Sequence, residues 1–89
     1  MSATVAQIES RLTAALAPVS LHIDDDSAKH AGHAGARDGG GHYRVTIVAE
    51  AFAGKNTLAR HRLIYTALGD LMPAAIHALA IRATAPDEV

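Results

Sequence analysis

There is no cysteine in these 89 residues, which excludes a disulfide framework, thiol catalysis and a thiolate metal site made by this chain alone. Tryptophan is missing too, and Phe52 with two tyrosines makes up the whole aromatic content of 3%. The core must therefore be built of Ala, Leu, Ile and Val, and alanines bury little area each, so modest stability is expected. Neither sign of charge dominates. Eight Lys plus Arg against nine Asp plus Glu leave −1, which offers no global attraction to nucleic acid or to an anionic membrane. No apolar run approaches the roughly 20 residues that span a bilayer, and no basic segment followed by an apolar one opens the chain as in a secretory signal. These absences point to one domain over residues 1–89, cytoplasmic, with no contact to membrane.

What is present is ordered by period. Val5, Ile8, Leu12, Ala15 and Leu16 recur at helical spacing before Pro18, predicting a helix over about 4 to 17, with Thr4 and Gln7 as a capping box. Val19, Leu21 and Ile23 alternate with Ser20, His22 and Asp24 in a short strand closed by Asp24-Asp25-Asp26. From Ser27 to Gly41 the composition turns to Ala, Gly and His, which predicts a mobile loop. Tyr43, Val45, Ile47 and Ala49 then mark a second strand, and Phe52 with Gly54 the turn after it. A helix follows from about Thr57, ended by Pro73, with a short helical turn near that proline. His77, Leu79, Ile81 and Ala83 alternate in a third strand, and Pro86 closes the ordered chain. Two strands joined by a loop favour antiparallel pairing, and a strand-helix-strand connection favours parallel pairing. The expected fold is α+β, in the order α-β-β-α-β, with a mixed three-stranded sheet and the helices packed on one face.

Six histidines in a chain without cysteine are the compositional oddity. His30-Ala-Gly-His33 has a spacing that can place two imidazoles on one metal, against the plainer reading of solvated loop residues. His22 and His42 fall on the polar parity of their strands and are expected to face solvent. His61 falls near the centre of the arc formed by Leu58, Ile64, Tyr65, Leu68, Leu71 and Met72, so it is expected to be a buried, hydrogen-bonded residue. Its replacement by alanine should then cost roughly 1 to 3 kcal/mol. Gly54-Lys55-Asn56-Thr57 is not a phosphate loop, because the first glycine such a loop requires is Ala49 here. Lys55, Arg60, Arg62 and Arg44 are expected to form a solvated basic rim near the turn before the helix. No nucleophile, base and oxyanion donor are spaced as a complete active site, so the chain is not expected to be an enzyme.

Taken together, His42-Tyr-Arg-Val, Phe52-x-Gly54, Arg60-His61-Arg62-Leu-Ile-Tyr65 and Ile76-His77-Ala78-Leu79 resemble the signatures of the BolA family, over essentially all of the chain from Val19 to Pro86. The resemblance implies a fold similar to a class II KH domain. It also implies a monothiol glutaredoxin as partner and a bridged 2Fe-2S cluster held by the heterodimer, for cluster trafficking or iron and redox sensing. In the family's pattern the glutaredoxin cysteine and a glutathione thiolate supply two ligands. The BolA side supplies the other two: the strand-opening histidine, here His77, and a loop residue matching His30, with His33 as an alternative loop ligand. The isolated chain is expected to carry no cluster. Two imidazoles in place of thiolates lower the cluster's negative charge, raise its potential and make it more sensitive to acid. Two other readings stand beside this one. The first is a DNA-binding transcriptional regulator acting through the KH-like helix and turn, with Lys55, Arg60 and Arg62 on nucleic acid. The second is an adaptor that binds glutaredoxin without cluster chemistry.

Overall fold

In the computed structural model, which describes residues 3–26, 41–74 and 76–89, the first helix, α1, runs over Ala3–Leu16. Val5, Ile8 and Leu12 stack at three- and four-residue steps on its buried side. Thr4 lies inside this helix, so the expected capping box with Gln7 is not its start. The helix ends where Ala17 takes a φ of 44° ahead of Pro18.

Strand β1 (Ser20–Asp25) pairs antiparallel with β2 (Gly41–Val48), which pairs parallel with β3 (Ile76–Thr84), in the spatial order β1-β2-β3. The mixed sheet expected from periodicity is therefore present. Side-chain alternation sets its register. Tyr43, Val45 and Ile47 are buried, and they stand opposite Asp25, Ile23 and Leu21 of β1 and opposite Leu79, Ile81 and Ala83 of β3. Arg44, between them, is exposed, so the helices pack on one face. Val19 is 69% exposed and precedes β1 rather than opening it. Gly41 belongs to β2 and not to the loop, and a Cβ there would fall on the Tyr43 ring.

After β2, a 3-10 turn at Glu50–Phe52 drives Phe52 fully into the core. Helix α2 spans Thr57–Leu68, and the Asn56 side chain caps it by accepting from the Ala59 N–H at 2.9 Å. It stops five residues short of Pro73. Gly69, at φ 53°, ends it by donating its N–H to the Tyr65 carbonyl at 3.0 Å. The short helix α3 (Leu71–Ala74) follows, broken at Met72 (φ −104°, ψ 118°), the residue before Pro73. The chain stays ordered past Pro86, in a 3-10 turn over Pro86–Glu88.

The core joins α1, the sheet and α2 through Ile8, Leu12, Val45, Ile47, Phe52, Ile64, Leu68 and Ile76. Only Ile64 and Leu68 of α2 are buried, while Leu58 is 59% and Tyr65 41% exposed. The helix is thus rolled away from the arc expected for it. At about 100° per residue, Leu58 and Tyr65 lie roughly 80 to 100° from the midline of Ile64 and Leu68, and His61 about 40° from it. His61 is half-buried at the rim of the core and not at the centre of a buried stripe.

Candidate functional site

Two regions collect the chemistry-bearing residues, one at the corner of the sheet where β3 begins and one along α2. At the corner, β2 and β3 lose strict register between Gly41 and His42: Gly41 is opposite Ile76 and His42 is opposite Ala78. His77 is the extra residue of this β-bulge. Such irregularities bend a strand and re-aim what it carries, which is why they recur beside functional sites. The bulge also explains how Ile76 and Leu79 both serve the core although they fall on opposite parities, a change of phase that strict alternation from His77 to Ala83 does not anticipate. His30 and His33, the expected loop ligands, lie outside the described residues, as does the mobile-loop expectation for 27–40. The points where that segment leaves and rejoins the sheet are at this corner: the Asp26 N–H donates to the His42 carbonyl at 2.7 Å, and Gly41 is the register partner of Ile76.

Next to the bulge, on the helix-free face, is a hollow of about 320 Å³ bordered by Asp26, His42, Arg44, Ala78 and Ala80. It exists because two alanines stand beside longer neighbours. His42, expected to face solvent, is instead half-buried along this hollow with its Nε2 withdrawn from water. His22, on the edge strand β1, does face solvent and meets Asp24 Oδ1 at 2.9 Å. Among the described residues no group of three or more His, Asp or Glu could hold a metal.

The basic residues expected as a rim divide in the structure. Lys55 and Arg62 are exposed, and Arg44 lies on the helix-free face of the sheet, 3.5 Å from Asp26. Arg60 is turned inward with its side chain only 12% exposed. Its Nε donates to the Lys55 carbonyl at 2.8 Å, and its Nη1 to the Ala83 carbonyl at 3.0 Å and to Glu88 Oε1 at 2.6 Å. The Nη2 donates to Glu88 Oε2 at 2.7 Å, completing a bidentate pair. The guanidinium therefore ties α2, the end of β3 and the C-terminal turn together, and little of it is left for phosphate. Nothing in the local sequence signals this, because Glu88 is 28 residues away. Arg11 carries no local signal for the same reason. Its Nη1 donates at 2.7 Å both to the Leu68 carbonyl and to Asp70 Oδ1, fastening α1 to the end of α2 across 57 and 59 residues.

The Arg60 hydrogen bond, with help from the Ala85 N–H, holds the Glu88 carboxyl down at about 2 from an ordinary 4.5. Arg11 likewise lowers Asp70. A carboxylate whose folded pKa is depressed stabilises the fold above its unfolded value, and that stabilisation is lost as pH falls through the folded one. Acid unfolding should therefore steepen between about pH 4.5 and 2. The Glu88→Gln variant should be less stable at neutral pH and show a flatter dependence across that window, read by circular dichroism. Equal slopes for the two proteins would remove Glu88 from this role.

His61 has no hydrogen-bond partner among the described residues and is only half-buried. The cost expected for His61→Ala accordingly falls to about 1 kcal/mol or less, from partial loss of packing alone. Urea denaturation checks this, and a loss of 3 kcal/mol would restore the buried reading.

The BolA-like protein family model matches residues 12–88. The chain is 44% identical to SufE-like protein 1, chloroplastic/mitochondrial, of Arabidopsis thaliana over 93% of its own length but 24% of that protein. It is 39% identical to the DNA-binding transcriptional regulator BolA of Escherichia coli (strain K12), covering 84% of this chain and 69% of that one. It spans about half, 53%, of Protein BOLA1, chloroplastic, of Arabidopsis thaliana, at 40% identity. Among solved structures, the BolA domain of SufE1 from Arabidopsis thaliana superposes with a TM-score of 0.87 at 40% identity, covering 100% of this chain and 99% of that one. BolA1 from Mus musculus gives 0.82 at 36%, covering 99% and 69%. With the order of elements, the mixed sheet and these matches in agreement, the chain belongs to the BolA-like protein family.

Proposed function

We propose that this chain is the BolA-type half of a heterodimer with a monothiol glutaredoxin, and that the pair holds a bridged 2Fe-2S cluster for trafficking or for iron and redox sensing. Its role is that of a binding partner and not of an enzyme, and we place it in the cytoplasm. One observation carries the reading. The segment bearing His30 and His33 leaves and rejoins the sheet at the corner where the β3 bulge presents the backbone of His77. That arrangement can bring a loop imidazole and a strand imidazole to one iron, which is the donor set a chain without cysteine can offer.

His77 would be one ligand and His30 the other, with His33 as the alternative, while the glutaredoxin cysteine and glutathione complete the set. Neutral nitrogen ligands in place of thiolates raise the cluster's potential. Within this chain, the ladder from Tyr43–Leu79 to Val48–Thr84 holds His77's strand rigid, and the hollow beside it leaves room on the helix-free face. The regulator reading draws on the E. coli relative's name. It is weakened by Arg60, whose donors are engaged within the fold.

The test is reconstitution with iron, sulfide and glutathione. The purified chain alone should be colourless and metal-free, and visible absorption and circular dichroism bands should form only when a monothiol glutaredoxin is added. A stoichiometric 2Fe-2S spectrum from the chain alone overturns the shared-ligand reading. Salt-dependent retention on DNA without bands on mixing favours the regulator.

A further inference from the structure

We propose that the free edge of β3 at Leu79 and Ile81 pairs with the same edge of a second copy of this chain, antiparallel and about a two-fold axis through Ala80. β3 is an outer strand of the sheet, joined to β2 along one side only. Its Thr84 carbonyl accepts from the Ala49 N–H at 3.0 Å. From Ala78 on, the even-numbered residues of β3 therefore turn their backbone groups toward β2, and Leu79, Ile81 and Ala83 turn theirs outward. Side chains close one end of that edge. The Ala83 carbonyl accepts from Arg60 Nη1 at 3.0 Å, and the Ala85 N–H donates to Glu88 Oε1 at 2.8 Å. The Arg60–Glu88 pair thus stands where a neighbouring strand would. Among the described residues nothing pairs with the outward N–H and C=O groups of Leu79 and Ile81.

Open edges are templates for pairing, and proteins blunt them with short strands, charged side chains or proline. The other outer strand, β1, is blunted: it has six residues and carries His22, Asp24 and Asp25. β3 has nine residues, and Arg82 is its one charged side chain besides the histidine. Its open stretch, Ala78-Leu79-Ala80-Ile81, is wholly apolar. Register then selects the occupant. A two-fold centre at Ile81 or Arg82 would call on the Ala83 carbonyl that Arg60 holds, and the second would also oppose Arg82 to itself. A centre at Ala78 or Leu79 would call on His77, where the bulge interrupts the alternation. At Ala80 neither obstacle arises. Leu79 then faces Ile81 of the second copy, and Ile81 faces its Leu79, each pair exchanging two N–H···O=C bonds. Both side chains are half-buried against the core, so pairing covers apolar surface that the edge leaves open. On the helix-free face Ala80 meets its own counterpart, and Arg82 stands opposite Ala78 of the second copy, beside the hollow that Asp26 borders. The strand is thus complementary to itself in backbone, bulk and charge, and the pairing joins two three-stranded sheets into one.

The experiment uses the whole chain alone, without iron or any other protein. Sedimentation equilibrium from micromolar to millimolar concentration reads its mass, and amide hydrogen exchange by NMR is compared at the two extremes. Wild type should pass from monomer to dimer over this range. The Leu79 and Ile81 amides should exchange freely when dilute and gain about tenfold protection or more when concentrated, while those of Ala78 and Ala80, turned toward β2, stay protected throughout. Ala80→Lys and Ala80→Glu, at an exposed position, each set like charges directly opposite across the axis. Either one alone should raise the dimer dissociation constant severalfold, and an equimolar mixture of the two should recover wild-type association by pairing Lys with Glu. Thermal melting in dilute solution checks that both variants fold, and if either does not, the exchange pattern of the wild type decides alone. A monomer at every concentration overturns the proposal. So does a dimer that the charge variants form as readily as wild type, and so does exchange at Leu79 and Ile81 that is independent of concentration.

Discussion

Replacing His77 by alanine is expected to abolish the mixed-ligand cluster signal of the proposed heterodimer, while His30→Ala only weakens it. The asymmetry follows from how the two histidines are carried. His77 is held on β3, where Ile76 and Ala78 on either side of it are both paired to β2, so its backbone would lose little freedom on the proposed coordination. His30 lies in a glycine- and alanine-rich stretch of sequence, and fixing a residue of such a stretch costs about 1 to 2 kcal/mol, which the proposed coordination would have to offset. In the proposed site His33, three positions on, is the alternative loop ligand that would substitute for it. The double change of His30 and His33 to alanine should therefore match His77→Ala, where His30→Ala alone does not. Visible circular dichroism of each reconstituted heterodimer reads the series. An intact spectrum for His77→Ala, with lowered affinity for glutaredoxin before iron is added, would make His77 an interface residue and move the ligand elsewhere.

For stability, the largest loss is expected from Phe52→Ala. Phe52 is the only phenylalanine and is fully buried in a core otherwise made mostly of aliphatic residues. Removing a buried ring costs about 3 to 5 kcal/mol through lost transfer energy and the cavity left behind. That is a large share of the roughly 5 to 15 kcal/mol available to a domain of this kind. The turn that carries Phe52 also connects β2 to α2, and the ring seats that connection on the core formed with Ile47 and Ile64. The melting midpoint should drop by roughly 15 °C or more, followed by far-ultraviolet circular dichroism. A midpoint within a few degrees of wild type would show that neighbouring alanines and leucines collapse to fill the space.

The sequence marks Phe52 and His77 in different ways, and the structure treats them differently. Phe52 could be placed in the turn after the second strand, but its full burial could not, because neither strand nor helix periodicity extends through that turn. His77 was identified through the Ile76-His77-Ala78-Leu79 signature. Strict alternation put it on the parity of Leu79, and the bulge at its position breaks that alternation. The basic residues show the limit most plainly. Lys55, Arg60 and Arg62 look alike as a sequence, yet Arg60 became an internal fastening once Glu88 was brought beside it.

By itself, the sequence determined the elements and their pairing. The 3.6-residue recurrence of Val5, Ile8 and Leu12 and the alternation of Tyr43, Val45 and Ile47 each have only one backbone conformation that puts their apolar groups on one side. The lengths of the connections then allow one antiparallel and one parallel pair. Only the tertiary structure decided the roll of α2, the bulge that isolates His77, and the capture of Arg60 and Arg11. A helix turns toward whichever side fills the core most completely, and ion pairs form between residues that folding brings together from 28 to 59 positions apart. Neither outcome is encoded in a local period, because each depends on shapes and charges contributed by distant parts of the chain.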